Sequence, residues 1–342
     1  MTTNKKVRLL GVPEGDIFLG RDLKLLGSDY EIKTACGFNF KRPWTIILCA
    51  FSIFKGLIWA DIILSQFADL HAFLAMLFAR LLGKKSIVVV GGYEVARVPE
   101  IGYGYMLKPV LPLMVKYTLL YSNRIFTVAN SLKEDAIRNA GVKGDNIRTV
   151  PECYDSGFWY RRLEKEDLVL TVANKMTHKV ISRKGLVTFV EAAKARPDIQ
   201  FAIIGPFIED SAEKYLKERA PSNVDFVGFV PEEHLPEWYS RARVYCQLSL
   251  YEGIPNALCE AMLCECVPVV TDCCGIPVAV GDAGFYVQYA DIEGTVNAIK
   301  SAMSSGKGEE ARSRIVNLFP LEKRRRELQE EIDNLVNLPK RE

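Results

Sequence analysis

Short runs of Val, Ile, Leu and Thr alternate with amphipathic helical stretches along this chain, and the alternation runs through twice with one interruption. Such a pattern demands parallel sheets with helices on both faces, because neighbouring parallel strands need a long crossover, which a helix fills. Strand-like segments of the first series are 6–12, 30–36, 61–67, 85–90, 124–129 and 146–150, with helices expected at 69–82 and 105–122. Ser131-Leu-Lys-Glu134 has the spacing of a capping box, in which each side chain satisfies a free backbone N–H at the other's position, and marks a further helix start. Around Pro151–Arg162 the alternation stops. It resumes with strands at 168–173, 200–204, 224–230, 244–249 and 267–271 and helices at 185–195, 209–220, 232–242, 256–265 and 291–303. The closing amphipathic stretch Leu321–Leu338 needs an apolar surface to pack on.

A chain of 342 residues suits two domains of about 150 residues each. The expected division is 1–152, 153–318 and a closing segment 319–342. The two halves differ in charge: residues 1–151 carry 20 basic against 12 acidic side chains, and residues 152–342 carry 24 against 30. A nucleic-acid protein would be basic overall or carry a basic stripe, so that class is excluded; a first half with net charge +8 suits approach to an anionic surface. Chance surface composition accounts for the same numbers.

Nine cysteines, an odd number, and no apolar stretch with a cleavage site after Met1 predict free thiols and a cytoplasmic setting. No C-x2-C pair occurs, and His71, His178 and His234 lie far from the cysteine-rich segment 259–274, so no metal site is expected. Trp44–Ala60 is apolar but interrupted by Lys55, and falls short of the ~20 residues that cross a bilayer. With Lys41 and Arg42 ahead of it and Trp near both ends, it suits a position in a membrane interface; a helix packed against a sheet is the alternative.

In an open α/β sheet the ligand sits beyond the carboxyl ends of the strands, and two such domains facing each other make a cleft. The first loop, GVPEGDIFLGR, places Gly11, Gly15 and Gly20 without the G-x-G-x-x-G of a dinucleotide site, and no P-loop occurs. The informative stretch is 249–277, SLYEGIPNALCEAMLCECVPVVTDCCGIP. If a helix begins near Pro255 or Asn256, Glu252 projects from the loop, Glu260 lies one turn into the helix, and the free N–H groups of Gly253, Ile254 and Asn256 form an anion site. Cations come from NKMTHKVISRKG, with Lys175, Lys179, Arg183 and Lys184. A sugar nucleotide fits this set. One carboxylate accepts from ribose hydroxyls and the other from the sugar, while Lys184 and the helix end hold the diphosphate. A turn cap for Glu252 and a solvated helix position for Glu260 are the alternative roles.

EGIPNALCEAM with VPVVTD after it, the upstream RKG and VDFVGFVPEEHL, and in the first half ADIILSQFADLHAFLAMLFARLLGKKSIVVVGG and RIFTVANSLKEDAIRNAG together resemble glycosyltransferase family 4. The closing FPLEKRRRELQEEI is also similar. The resemblance implies the GT-B fold, two facing Rossmann-like doubly wound domains with a C-terminal helix returning to the first. It implies transfer of a sugar from a nucleoside-diphosphate sugar to a hydroxyl with the anomeric configuration retained and no obligatory metal; the lack of a D-x-D carboxylate pair agrees.

By the same resemblance Glu252 lies beside the donor sugar and Lys184 on the diphosphate; the second cation falls to Arg183, Lys175 or Lys179 or is missing, and Arg183 is taken to complete the catalytic set. Glu260 binds the ribose, Gly253, Ile254, Pro255 and Asn256 border the donor, the backbone of Val230 meets the nucleobase, and Gly15 lets a first-domain loop close over the diphosphate. Departures are Ala173 and Asn174 where an Arg often follows Gly, Gly91 where many members have His, and Cys274 and Val278 within the usual GG-x-P-E. Glu94 is then the nearest acidic group on the acceptor side. Implied partners are a nucleotide sugar and a glycan or lipid-linked acceptor, at the cytoplasmic face of a membrane if the first half docks there. A sugar-nucleotide 2-epimerase and a catalytically weak binding subunit are the competing classes.

Overall fold

The computed structural model describes residues 6–37, 42 and 44–337; Lys41 and residues 338–342 lie outside the described residues. The chain divides into two compact units, Met1–Pro151 with Leu321–Glu342, and Glu152–Pro320.

The first unit opens with β1 (Arg8–Val12), α1 (Ile17–Leu26), β2 (Glu31–Thr34), α2 (Thr45–Trp59), β3 (Ile62–Gln66), α3 (Leu70–Leu81) and β4 (Lys85–Val90). It continues with α4 (Leu111–Tyr121), β5 (Arg124–Thr127), α5 (Asn130–Ala140) and β6 (Ile147–Thr149). All six strands are parallel, in the order β2-β1-β3-β4-β5-β6. β3 is buried along its whole length, as a strand covered on both faces must be.

Two sequence expectations need correction here. The single helix expected over 105–122 is a 3-10 turn at Tyr105–Leu107 followed by α4. Pro109 disfavours helical backbone at Lys108, and Pro112 is tolerated only because it falls in the first turn of α4. The capping box does not form: α5 starts at Asn130, its N-cap is Ala129, and Ser131 Oγ is shielded without a hydrogen-bond partner among the described residues. Asn130 instead turns its Oδ1 to the Thr149 hydroxyl of β6, 2.6 Å away.

The second unit comprises β7 (Glu166–Val172), α6 (His178–Arg183), α7 (Leu186–Lys194), β8 (Gln200–Ile204), α8 (Asp210–Lys217), β9 (Val224–Gly228), α9 (Leu235–Arg241) and β10 (Ala242–Gln247). α10 (Asn256–Leu263), β11 (Val267–Thr271), α11 (Ile276–Val280), β12 (Phe285–Val287), α12 (Ile292–Ser304) and α13 (Gly308–Leu318) complete it. Its parallel sheet runs β12-β11-β10-β7-β8-β9. The helix expected over 232–242 is a 3-10 turn at Glu232–His234 and then α9, because Pro236 fits only a first turn, and Ala242 already belongs to β10. Pairing of β10 with β7 sets the loops that leave these two strands side by side at the carboxyl edge of the sheet.

The last helix, α14 (Leu321–Asn337), packs on the first unit. Arg324, Leu328, Ile332 and Leu335 form its buried stripe at helical spacing. Arg324 is 2% exposed. It forks onto Asp22 of α1 at 2.5 and 2.7 Å and donates to the carbonyls of Val150 and Pro151 at 3.0 and 2.7 Å.

Candidate active site

The loop after β7 does not run free. Thr177 caps α6 by accepting from Val180 N at 3.2 Å, and the six-residue helix carries the chain to Arg183 and Lys184. Gly185 then adopts φ +65, and a Cβ there would stand 2.2 Å from the Leu248 carbonyl. Only glycine lets this turn press against the segment that follows β10, and Leu250 N closes the contact by donating to the Arg183 carbonyl at 2.8 Å.

That contact brings both cations onto Glu252. Its Oε1 accepts from Arg183 Nη1 at 2.6 Å and Lys184 Nζ at 2.9 Å, with Ser249 Oγ at 3.3 Å and Gln247 Nε2 at 3.5 Å. Burial pushes the Glu252 carboxyl up, but Lys184 and Arg183 outweigh it and hold the group below the usual glutamate range. Burial likewise pulls the Lys184 amine below its ordinary value, against the attraction of Glu252.

Gly253, Ile254 and Pro255 separate Glu252 from α10. Among the described residues no side chain caps this helix, so its first N–H groups keep their capacity to bind an anion. Asn256 Oδ1 accepts from the buried Tyr154 hydroxyl at 2.8 Å, which fixes the first residue of the helix. Glu260 is buried within α10, and its Oε2 accepts from the Tyr239 hydroxyl at 3.2 Å. Burial and then the Glu260 charge push the Tyr239 hydroxyl well above its ordinary value.

The two glutamates are linked through groups that the sequence reading missed. Gln247 donates to Ser249 Oγ at 2.7 Å and accepts from the Tyr245 hydroxyl at 3.2 Å; the Tyr245 ring lies edge-on to Tyr239 at 6.0 Å, and Tyr239 meets Glu260. A signal was present. In YCQLS, Gln247 and Ser249 interrupt a strand that is otherwise apolar, and a buried polar side chain implies a partner.

The other candidates are placed separately. Lys175 and Lys179 are exposed, whereas Arg183 is the cation set beside Lys184. His178 packs on α8, with Nε2 3.2 Å from Ser211 Oγ and its ring edge-on to Tyr215. Val230 is half-buried in the turn after β9, next to Phe229, which is exposed. Cys274 keeps a left-handed backbone, φ 51, at a position where the usual motif has glycine.

In the first unit Gly15 has φ +83 in the turn after β1, with nothing within 4 Å of an added Cβ. The Glu94 carboxylate is buried and accepts from the backbone N–H groups of Ala68, Gly91 and Gly92 at 3.2, 3.1 and 2.9 Å. It clamps the ends of β3 and β4 together. A Cβ on Gly91 would stand 2.4 Å from Cε1 of Phe67, so the Phe67 ring fills the space that a side chain at 91 would take. Among the described residues no group of three His, Cys, Asp or Glu is placed to hold a metal ion.

Several known proteins are similar to this chain. Residues 162–317 match the family described as glycosyl transferases group 1. The GPI3 subunit of phosphatidylinositol N-acetylglucosaminyltransferase from Saccharomyces cerevisiae is 24% identical over 207 residues, covering 56% of this chain and 45% of the relative. O-antigen chain mannosyltransferase B of Escherichia coli is 34% identical over 87 residues, 25% of this chain and 23% of that one. The chain spans about half the length of the curated relatives it matches over the longest stretches. Among solved structures, a glycosyltransferase of Rickettsia africae superposes with TM-score 0.75 at 16% identity over 98% of this chain and 100% of that one. HepE of Anabaena in complex with UDP and glucose gives TM-score 0.77 at 12% identity, covering 97% and 100%. The second unit thus resembles the glycosyl transferases group 1 family over residues 162–317, and the chain has the two-domain α/β fold of the GT-B glycosyltransferases.

Proposed function

We propose that this chain transfers a sugar from a nucleoside-diphosphate sugar to an acceptor hydroxyl with retention of anomeric configuration, as a member of glycosyltransferase family 4. The observation that carries this reading is the part-buried cluster of Arg183, Lys184 and Glu252 just ahead of the N-terminus of α10, within the segment that resembles glycosyl transferases group 1. Two part-buried cations converge here with the first amides of α10, and a diphosphate is a ligand that such a set of charged and backbone donors binds.

In this mechanism Lys184, Arg183 and the first amides of α10 receive the diphosphate. As the bond from the anomeric carbon to the diphosphate oxygen breaks, negative charge grows on the phosphate, and these fixed donors stabilise that charge without reorganising. Glu260, held by Tyr239, accepts from the ribose hydroxyls, Glu252 orients the donor sugar, and the backbone of Val230 borders the base. No metal is required. The solved relative that holds UDP and glucose supports a nucleotide donor. Relatives named for phosphatidylinositol and for the O-antigen chain support a lipid-linked or membrane-surface glycan as acceptor, met by an enzyme peripheral to the cytoplasmic face.

A thermal-shift panel of UDP-, GDP-, ADP- and dTDP-sugars tests the donor assignment, since a ligand that binds the folded state raises the melting temperature. Stabilisation by one nucleotide series, followed by transfer with the anomeric signal retained in NMR, is the expected result. No shift with any of them would remove the donor site, and epimerisation of the sugar without an acceptor would replace the transferase reading.

A further inference from the structure

Right-handed crossovers place α2, α3 and α4 next to one another on one face of the first unit's sheet. Phe54 of α2 meets Phe78 of α3 edge-on at 5.6 Å, and Arg80 of α3 lies over the Tyr121 ring of α4 at 4.1 Å, so the three helices form a continuous layer.

The outer side of this layer is apolar. α2 buries Cys49, Ile53 and Leu57 towards the sheet, yet Ile47, Leu48, Phe51 and Ile58 are exposed on its other side, and Trp44 just ahead of it. Phe51 is 66% exposed. α4 repeats the pattern, with Val115, Thr118 and Leu119 buried and Leu113, Tyr117 and Leu120 exposed; Leu77 and Leu81 of α3 are exposed between them. A helix on a water-facing surface carries polar residues there, and a contiguous apolar patch marks an interaction site.

Charge identifies the occupant. The sequence has 42 Asp and Glu, but α2, α3 and α4 contain none, and each carries one exposed basic residue: Lys55, Arg80 and Lys116. The adjacent α5 has Glu134 and Asp135. A protein partner would not require a surface free of acidic groups across three helices; an anionic leaflet would, and it favours spaced cations and an interfacial Trp. No helix of the described residues is long and apolar enough to cross a membrane.

We propose that the outer face of α2, α3 and α4 lies on an anionic lipid bilayer, its apolar side chains at the boundary of headgroups and acyl chains and Lys55, Arg80 and Lys116 at the lipid phosphates. This deepens the proposed function by naming the surface on which a lipid-linked acceptor is met, and rests on that reading only for the acceptor.

The test is flotation of the full chain with vesicles of phosphatidylcholine containing about one third phosphatidylglycerol, at low salt. Binding is expected, weaker by roughly fivefold or more on pure phosphatidylcholine, and weaker to a similar degree for Leu113→Glu with Tyr117→Glu and for Lys55→Glu with Lys116→Glu. Absence of flotation, or flotation undiminished by the α4 pair, overturns the proposal. So does a dimer of the wild type that the α4 pair dissociates without any vesicle binding, since the face then belongs to a second copy. If the variants fail to fold, brominated lipid should quench the wild-type Trp emission and Trp44→Leu should abolish most of that quenching; no quenching overturns the proposal. Calorimetry with UDP, GDP, ADP and dTDP on the same samples separates the two readings: binding of none of them would sink the donor assignment and leave the flotation result standing.

Discussion

Lys184 Nζ lies 2.9 Å from Glu252 Oε1, with the two side chains only 13% and 15% exposed. A cation assigned to the donor diphosphate is therefore held by the carboxylate assigned to the donor sugar. Diphosphate and carboxylate compete for the same charge. Glu252→Gln should leave UDP affinity unchanged or raise it, by up to roughly tenfold, while transfer falls by roughly 100-fold or more because the sugar loses its charged partner. Calorimetry with UDP and a transfer assay read the two effects separately. A large loss of UDP affinity would place Glu252 on the nucleotide instead.

The same pair sets a pH dependence. Since Lys184 and Arg183 outweigh burial and hold the Glu252 carboxyl below the usual range, the folded protein binds fewer protons than the unfolded chain between the depressed and ordinary values. Stability from this group is fully present above the ordinary value and is lost as pH falls through the depressed one. Wild type should exceed Glu252→Gln by about 1–3 kcal/mol near neutrality, and urea midpoints of the two should converge on acidification. A constant difference down to strongly acidic pH would contradict the ion-pair origin.

Glu260→Ala should weaken UDP and uridine alike, because ribose hydroxyls lose a charged acceptor worth ~1.5–3 kcal/mol, roughly 10- to 100-fold in affinity. Tyr239→Phe serves as the control for positioning: it keeps the carboxylate and removes only the 3.2 Å bond that steers it. Its effect on affinity should be the smaller of the two. Equal affinities of wild type and Glu260→Ala in calorimetry would take Glu260 out of the ribose site.

Much of both sheets was legible because buried parallel strands read as continuous Val, Ile and Leu runs, as IILSQ and VPVVT do. Phe285–Val287 was not, since this short edge strand is only partly buried and is held by its pairing with β11. α6 was hidden for a related reason: HKVISR is one short helix inside a run that reads as a basic loop, and only the cap by Thr177 reveals it. The charged residues of the site could be named from the sequence, but not the choice of Glu252 as the ion-pair partner of both Arg183 and Lys184. That choice depends on Gly185 pressing against the Leu248 carbonyl, a contact between segments more than sixty residues apart. Glu94 shows the converse, a carboxylate with an acceptor-side role implied by its neighbours in sequence that the fold places under three backbone amides.

Gly91→Ala should destabilise the first unit by about 1–3 kcal/mol through overpacking, because its Cβ would meet the Phe67 ring at 2.4 Å. In Phe67→Ala the same change should cost far less, since the obstacle is gone. A double-mutant cycle in urea reads this coupling. Additive effects would show that the ring swings aside at no cost.

Arg324 offers the sharpest test of how the last helix is fastened. Its guanidinium is fully buried, bidentate on Asp22 and bonded to the carbonyls of Val150 and Pro151 at the end of the first unit's main segment. Removing one partner of a buried pair strands the other charge away from water, which costs about 3–5 kcal/mol, whereas replacing both by apolar groups costs far less. Asp22→Ala should therefore lower the urea midpoint more than Asp22→Leu combined with Arg324→Met, even though the double variant also loses the two carbonyl bonds. If the double variant proves less stable than Asp22→Ala, the bonds to Val150 and Pro151 outweigh the stranded charge, and Arg324 acts chiefly as a clamp on the backbone that leads out of the unit.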